Sequence, residues 1–124
     1  MKRLAYILFF VTIISMAGLQ SCSYEMITPE KVVVGDNITW TADVLPIFTK
    51  NCNVAGCHVS GAVSPDLSAT QAYISLVYFG YVNTNIPEES SVYTKLTTGS
   101  MKTYATEQEK AIILKWIQLG ALEN

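Results

Sequence analysis

Cys52-Asn53-Val54-Ala55-Gly56-Cys57-His58 is the stretch on which the reading of this chain turns. It sets two of the three cysteines against the single histidine of the sequence. Two thiols, with a histidine directly after the second, are the residue types that hold a c-type haem. Each thiol attaches to one vinyl group, and the imidazole meets the iron. The usual spacer between the thiols is about two residues; here it is Asn53 to Gly56. The extra residues must loop out, and Gly56 lets the backbone turn back before Cys57. Two other readings stand beside this one. A Cys52–Cys57 disulfide suits an oxidising compartment but leaves the position of His58 as coincidence. A zinc site needs a fourth ligand, and with no second histidine a carboxylate or water would have to supply it.

The start of the chain points to export. Met1-Lys2-Arg3 is basic, Leu4 to Ala17 is apolar except for Thr12 and Ser15, and small residues follow. This is the pattern of a secretory signal, assigned to residues 1–21, and the apolar run is too short for a comfortable membrane span. Leu19-Gln20-Ser21-Cys22 resembles a bacterial lipobox. It implies that Cys22 is lipidated and becomes the first residue of the mature protein, tethered to a membrane of the cell envelope. Ordinary cleavage nearby, leaving Cys22 as a free thiol, is the other reading. With Cys22 lipidated, the two remaining cysteines are those of the central motif. The mature chain keeps six lysines against ten acidic residues, a formal charge of −4. That charge argues against nucleic acid as a partner and is compatible with a redox protein presenting a basic patch.

Residues 22–40 read as a tether and residues 41–124 as one small domain of short helices. Asp43 to Lys50 predicts a helix running into Cys52, capped by Thr41 or Asp43, with Pro46 in its first turn. Val44, Ile47 and Phe48 share one face of it. The loop 59–66 is expected to offer a backbone carbonyl to Nδ1 of His58. Ser68-Ala69-Thr70-Gln71 has the form of a capping box for a helix that stops at Gly80. Pro87-Glu88-Glu89 predicts another short helix ending before Gly99. Thr106 and Glu109 form a second box opening the last helix. Ile112, Ile113, Trp116 and Ile117 are its apolar face, Lys110 and Lys115 its wet side, and Gly120 its stop.

An iron held by His58 needs either an open site or a second axial ligand. Of the four methionines, Met1 and Met16 leave with the signal and Met26 lies in the tether. Met101 remains, in a loop between two helices, as candidate distal ligand; ordinary packing is its bland alternative. Ligation by Lys102 would require a depressed pKa. A His58/Met101 pair raises the reduction potential and closes the iron to substrates, which suits single-electron transfer rather than catalysis. An open sixth position would instead support peroxidase or small-ligand chemistry. A haem-free interaction module carrying a disulfide is the third possibility. No Ser-His-Asp set, phosphate-binding glycine loop or paired-carboxylate pattern supports a hydrolase.

Five blocks in order carry a family resemblance: Asp43-Val44-Leu45-Pro46-Ile47-Phe48 before Asn51-Cys52, then Cys57-His58, Pro65-Asp66-Leu67-Ser68, Pro87 to Leu96, and Trp116-Ile117-Gln118-Leu119-Gly120-Ala121. Together they resemble the small c-type cytochrome domains of exported bacterial proteins, of the Planctomycete type and of Bacteroidetes-like lipoproteins. The resemblance covers roughly residues 41 to 124. It implies an all-α, cytochrome c-like fold, with an N-terminal helix crossing a C-terminal one and short helices around one covalent haem c. It also implies Cys52 and Cys57 as attachment sites, His58 as proximal ligand and Met101 as distal ligand.

Overall fold

The computed structural model describes residues 32–124 and, before them, Arg3 alone. The signal segment beyond Arg3, Cys22 and most of the tether therefore lie outside the described residues. Among those described, the protein is helical, with no strand. A π-helical turn, Trp40–Val44, runs directly into α1, Leu45–Asn51. α2 is Ala72–Val77, a 3₁₀ turn covers Pro87–Glu89, α3 is Ser91–Thr97 and α4 is Glu107–Gln118. None of these helices is long and apolar enough to cross a membrane.

The first helical stretch starts earlier than its apolar period from Val44 indicates. Its cap is Thr39, not Thr41 or Asp43. The Thr39 hydroxyl accepts from Ala42 N at 3.3 Å, and Asp43 Oδ2 accepts in return from Thr39 N at 2.8 Å. This reciprocal closure satisfies amides that the start of a helix leaves without partners. It also brings Trp40 into the core at 3% exposure. The described residues 32–124 fall in one compact unit.

The core is centred on aromatic rings. Trp40 lies 5.0 Å from Trp116, 5.4 Å from Tyr73 in an edge-on pairing and 6.1 Å from Phe48, centroid to centroid. Such pairs contribute about 0.5–1.5 kcal/mol each beyond the area they bury. Two of these rings have their polar atoms matched. Trp116 Nε1 donates to Leu122 O and Tyr73 OH donates to Ala121 O. Those acceptors lie just past α4, where Gly120 takes φ +96° and ends the helix. Ile113 and Ile117 are fully buried beside Trp116.

Two local expectations are corrected. The Ser68 box does not form: Asp66 Oδ1 takes the Ser68 amide at 2.9 Å, and α2 begins after Gln71 with no side-chain cap. A carboxylate two residues upstream reaches that amide and turns the chain before any helix starts. Lys110 is not on the wet side. It is buried, with its ammonium 2.7 Å from Glu107 Oε1, so its apolar stem is covered while the head finds a partner.

The capping box of α4 does form, and it reaches beyond its own helix. Glu109 accepts from Thr106 N at 2.8 Å, and its other oxygen accepts from Asn51 Nδ2 at 3.1 Å. The side chain is 17% exposed. Burial alone pushes the Glu109 carboxyl up, but the hydrogen bonds from Thr106 and Asn51 and the nearby Lys50 outweigh it, and the net pKa is lowered. A depressed carboxylate stabilises the fold above its unfolded pKa, and that contribution is lost as pH falls through the folded value. Glu109→Gln is therefore expected to cost about 1–2 kcal/mol near neutral pH. The gap between the variant and the parent should narrow in acid, below the ordinary carboxylate range. Urea unfolding at neutral and acidic pH checks this; an unchanged gap would count against it.

Gly99 follows α3 with its Cα packed against Lys95. A Cβ there would meet Lys95 Cα at 2.7 Å and Lys95 O at 3.1 Å, both backbone atoms that cannot step aside. The same Lys95 carbonyl accepts from Met101 N at 3.0 Å. Gly99→Ala is expected to cost about 1–3 kcal/mol through this overpacking and to displace the Met101 loop. Thermal unfolding reads the first effect and amide exchange at Met101 the second.

Candidate functional site

α1 ends at the motif. Cys52 N donates to Phe48 O at 2.9 Å, continuing the helical pattern for one more residue. The chain then turns: Cys57 N donates to Val54 O at 2.9 Å, and Gly56 takes φ +80°, a conformation that favours glycine. The four-residue spacer is thus a tight bulge. It is closed by His58 N donating to Cys52 O at 3.1 Å. Two further bonds tie the following loop down, Val63 N to Cys57 O at 3.1 Å and Leu67 N to His58 O at 2.8 Å. Leu67 itself is a core residue.

His58 is oriented through one ring nitrogen. Nδ1 lies 3.0 Å from Pro65 O and 3.1 Å from Val63 O. A carbonyl only accepts, so Nδ1 carries the proton. In the neutral ring this leaves Nε2 with its lone pair, the form in which an imidazole binds a metal.

Both thiols are free. Burial pushes the Cys52 thiol up to about 11, with the neighbouring Cys57 and Glu109 acting in the same direction. The thiolate is the nucleophile and the metal-binding form, and burial disfavours it at Cys52. Among the described residues no group of three or more His, Cys, Asp and Glu side chains is gathered closely enough to hold a metal ion.

The predicted site residues nonetheless meet. Cys52, Cys57, His58 and Met101 all line one cavity of about 380 Å³. Small-molecule and cofactor sites typically span roughly 300–1,000 Å³. The lining is mainly apolar, with Phe48, Leu67, Leu76, Val92 and Leu96 supplied by the core itself. α1 thus contributes to one wall, α3 and the Met101 loop to another, and the loop that orients His58 to a third. Met101 is half-buried against the core and lines the same cavity as His58. Cys22 lies outside the described residues. The lining also includes residues that the sequence pattern did not single out, among them Tyr81, Lys95 and Tyr104. Lys95 sits on a helix whose pattern reads as an ordinary half-exposed face. Only the tertiary fold carries it to the cavity.

The chain matches no family model, no curated protein and no solved structure.

Proposed function

We propose that this protein is a mono-haem c-type cytochrome that passes single electrons in the cell envelope, on a cytochrome c-like fold. The observation that carries the reading is the convergence of two free thiols, the single histidine and Met101 on one apolar cavity. Cys52 and Cys57 would hold the porphyrin covalently. Each S–H adds across a vinyl group, forming an S–C bond and placing the hydrogen on the other vinyl carbon, with no net oxidation or reduction. His58 would bind iron through Nε2, its Nδ1 side being engaged by Pro65 and Val63. Met101 would be the second axial ligand.

The residues present suit such a group. The cavity offers apolar surface to a porphyrin face, one oriented imidazole and one thioether. When bound, haem supplies reversible one-electron chemistry, at a potential raised by His/Met ligation. The packing of Trp40 on Trp116 brings the first helical turn to the last helix, which supports the proposal. The membrane tether through a lipidated Cys22 belongs to the same proposal and rests on the sequence. A redox protein of the envelope is the expected partner.

The test is expression in a host that attaches c-type haem, followed by denaturing electrophoresis, haem staining and optical spectroscopy. A stained band with a c-type α-band and a weak far-red thioether–iron band is expected. Met101→Ala should keep the stain, lose the far-red band, shift the ferric iron toward high spin and lower the potential. Stain without the far-red band in the parent protein would favour the ligand-binding reading. No stain in a competent host would overturn the haem reading.

The haem-free chain is expected to be much less stable. Phe48, Leu67, Leu76, Val92 and Leu96 belong to both core and cavity wall, so an unfilled cavity removes packing partners from a small core. Cys52→Ala/Cys57→Ala protein purified without haem should unfold with reduced cooperativity in urea. A transition as sharp as that of the loaded protein would contradict this.

A further inference from the structure

Among the described residues, Lys95 is the one Lys, Arg, Asp or Glu residue in the lining of the cavity. Lys50, Lys110 and Lys115 each face a carboxylate, at 3.7, 2.7 and 3.0 Å. Lys95 makes no ion pair among the described residues. Its backbone is packed and its stem is close to a neighbouring turn. Gly99 packs directly on its backbone and lies so close to the stem that an added Cβ would come within 3.2 Å of Lys95 Cδ. Its carbonyl holds the Met101 amide at 3.0 Å. A lysine that lines an apolar cavity, with no acid among the described residues to meet it, is complementary to an anionic group on whatever fills that cavity.

We propose that Lys95 takes a carboxylate of the bound porphyrin, so that the propionate edge lies at the α3 end of the cavity, beside the turn that carries Met101. This deepens the haem reading above and rests on it. Lys95 is then a positioning residue. It sets which way round the porphyrin enters, because the porphyrin's vinyl side must meet Cys52 and Cys57 while its acidic side meets the ammonium. The residue is exposed, which suits a group at the mouth of the site. It also limits the strength of the pairing to that of a solvated ion pair.

Mesohaemin separates the two questions. It carries ethyl groups in place of vinyls, so it cannot form thioethers and binds reversibly to the full chain with both cysteines intact. Its dimethyl ester lacks the two negative charges. Titrations followed in the Soret band are expected to show a preference for the free acid over the ester of about three- to tenfold. Lys95→Met should abolish that preference and Lys95→Arg should retain it. Differences in solubility between the two porphyrins cancel when variant and parent are compared. A preference unchanged in Lys95→Met would overturn the assignment of Lys95 and leave the haem reading standing. No ligated spectrum with either porphyrin, in the parent or the variants, would overturn the assignment of Lys95, while the haem reading is decided by the stain.

Discussion

The contact between Trp40 and Trp116 is the constraint from which the rest of the domain follows. The π-turn and α1 together are too short to be stable alone, since isolated helices under about 12–15 residues are marginal in water. What holds them is burial of Trp40, Val44, Ile47 and Phe48 against α4 and its neighbours. Trp40 N donates to Asn124 Oδ1 and Thr41 N donates to Asn124 O, at 2.9 and 3.0 Å, so the same junction is closed by hydrogen bonds. At the far end of α1, Asn51 is tied to Glu109. The helix that delivers Cys52 is therefore pinned to α4 at both ends, and the start of the motif inherits its position from the core.

From that anchor the site is built with little freedom. Phe48, Leu67, Leu76, Val92 and Leu96 are at once core residues and cavity wall. A change in the wall is then a change in the core, and packed cores resist such changes. The loop 52–67 is fastened at both ends and internally, so His58 is not left to sample many rings of orientation. The backbone carbonyls of Pro65 and Val63 hold its Nδ1 side. Carbonyls of a fastened loop orient an imidazole as an outer-shell partner does in metal sites. Met101 comes from a different element, yet its amide is held by Lys95, whose helix contributes Val92 and Leu96 to the same wall.

What could be read from the sequence was whatever depends on neighbours in the chain. The α4 cap was legible because Thr106 and Glu109 close on one another across a single turn. The Gly120 stop was legible for the same reason. Trp40 was not: Pro29, Gly35 and the polar residues around it look like a linker, and the Thr39–Asp43 closure is easily passed over beside the more obvious Pro46. Yet Trp40, Val44 and Ile47 fall at helical spacing, so the signal was present. Ser68 misled because two acceptors compete for its neighbourhood and Asp66 is nearer in sequence. Lys110 misled because its charge says solvent, while its partner Glu107 lies within its own helix. Lys95 could not be seen at all. Its significance depends on which residues fail to surround it, and that is a tertiary fact.

The balance of groups around the cavity also bears on what kind of protein this is. General acid–base work needs a group titrating near the working pH and within reach of a reacting atom. Here the single imidazole commits Nδ1 to backbone carbonyls, and burial pushes the Cys52 thiol toward its neutral form. Among the described residues no acidic side chain lines the cavity. The wall supplies apolar surface, an oriented imidazole, two thiols and one lysine. Such a wall suits a group that brings its own chemistry, and electron transfer asks of the protein little beyond holding that group in place. The same reasoning sets the weight of Met101. If the proposed haem is bound, occupation of the sixth position is what would separate a carrier from a ligand-binding haem protein. That position depends on a loop whose geometry Gly99 and Lys95 share.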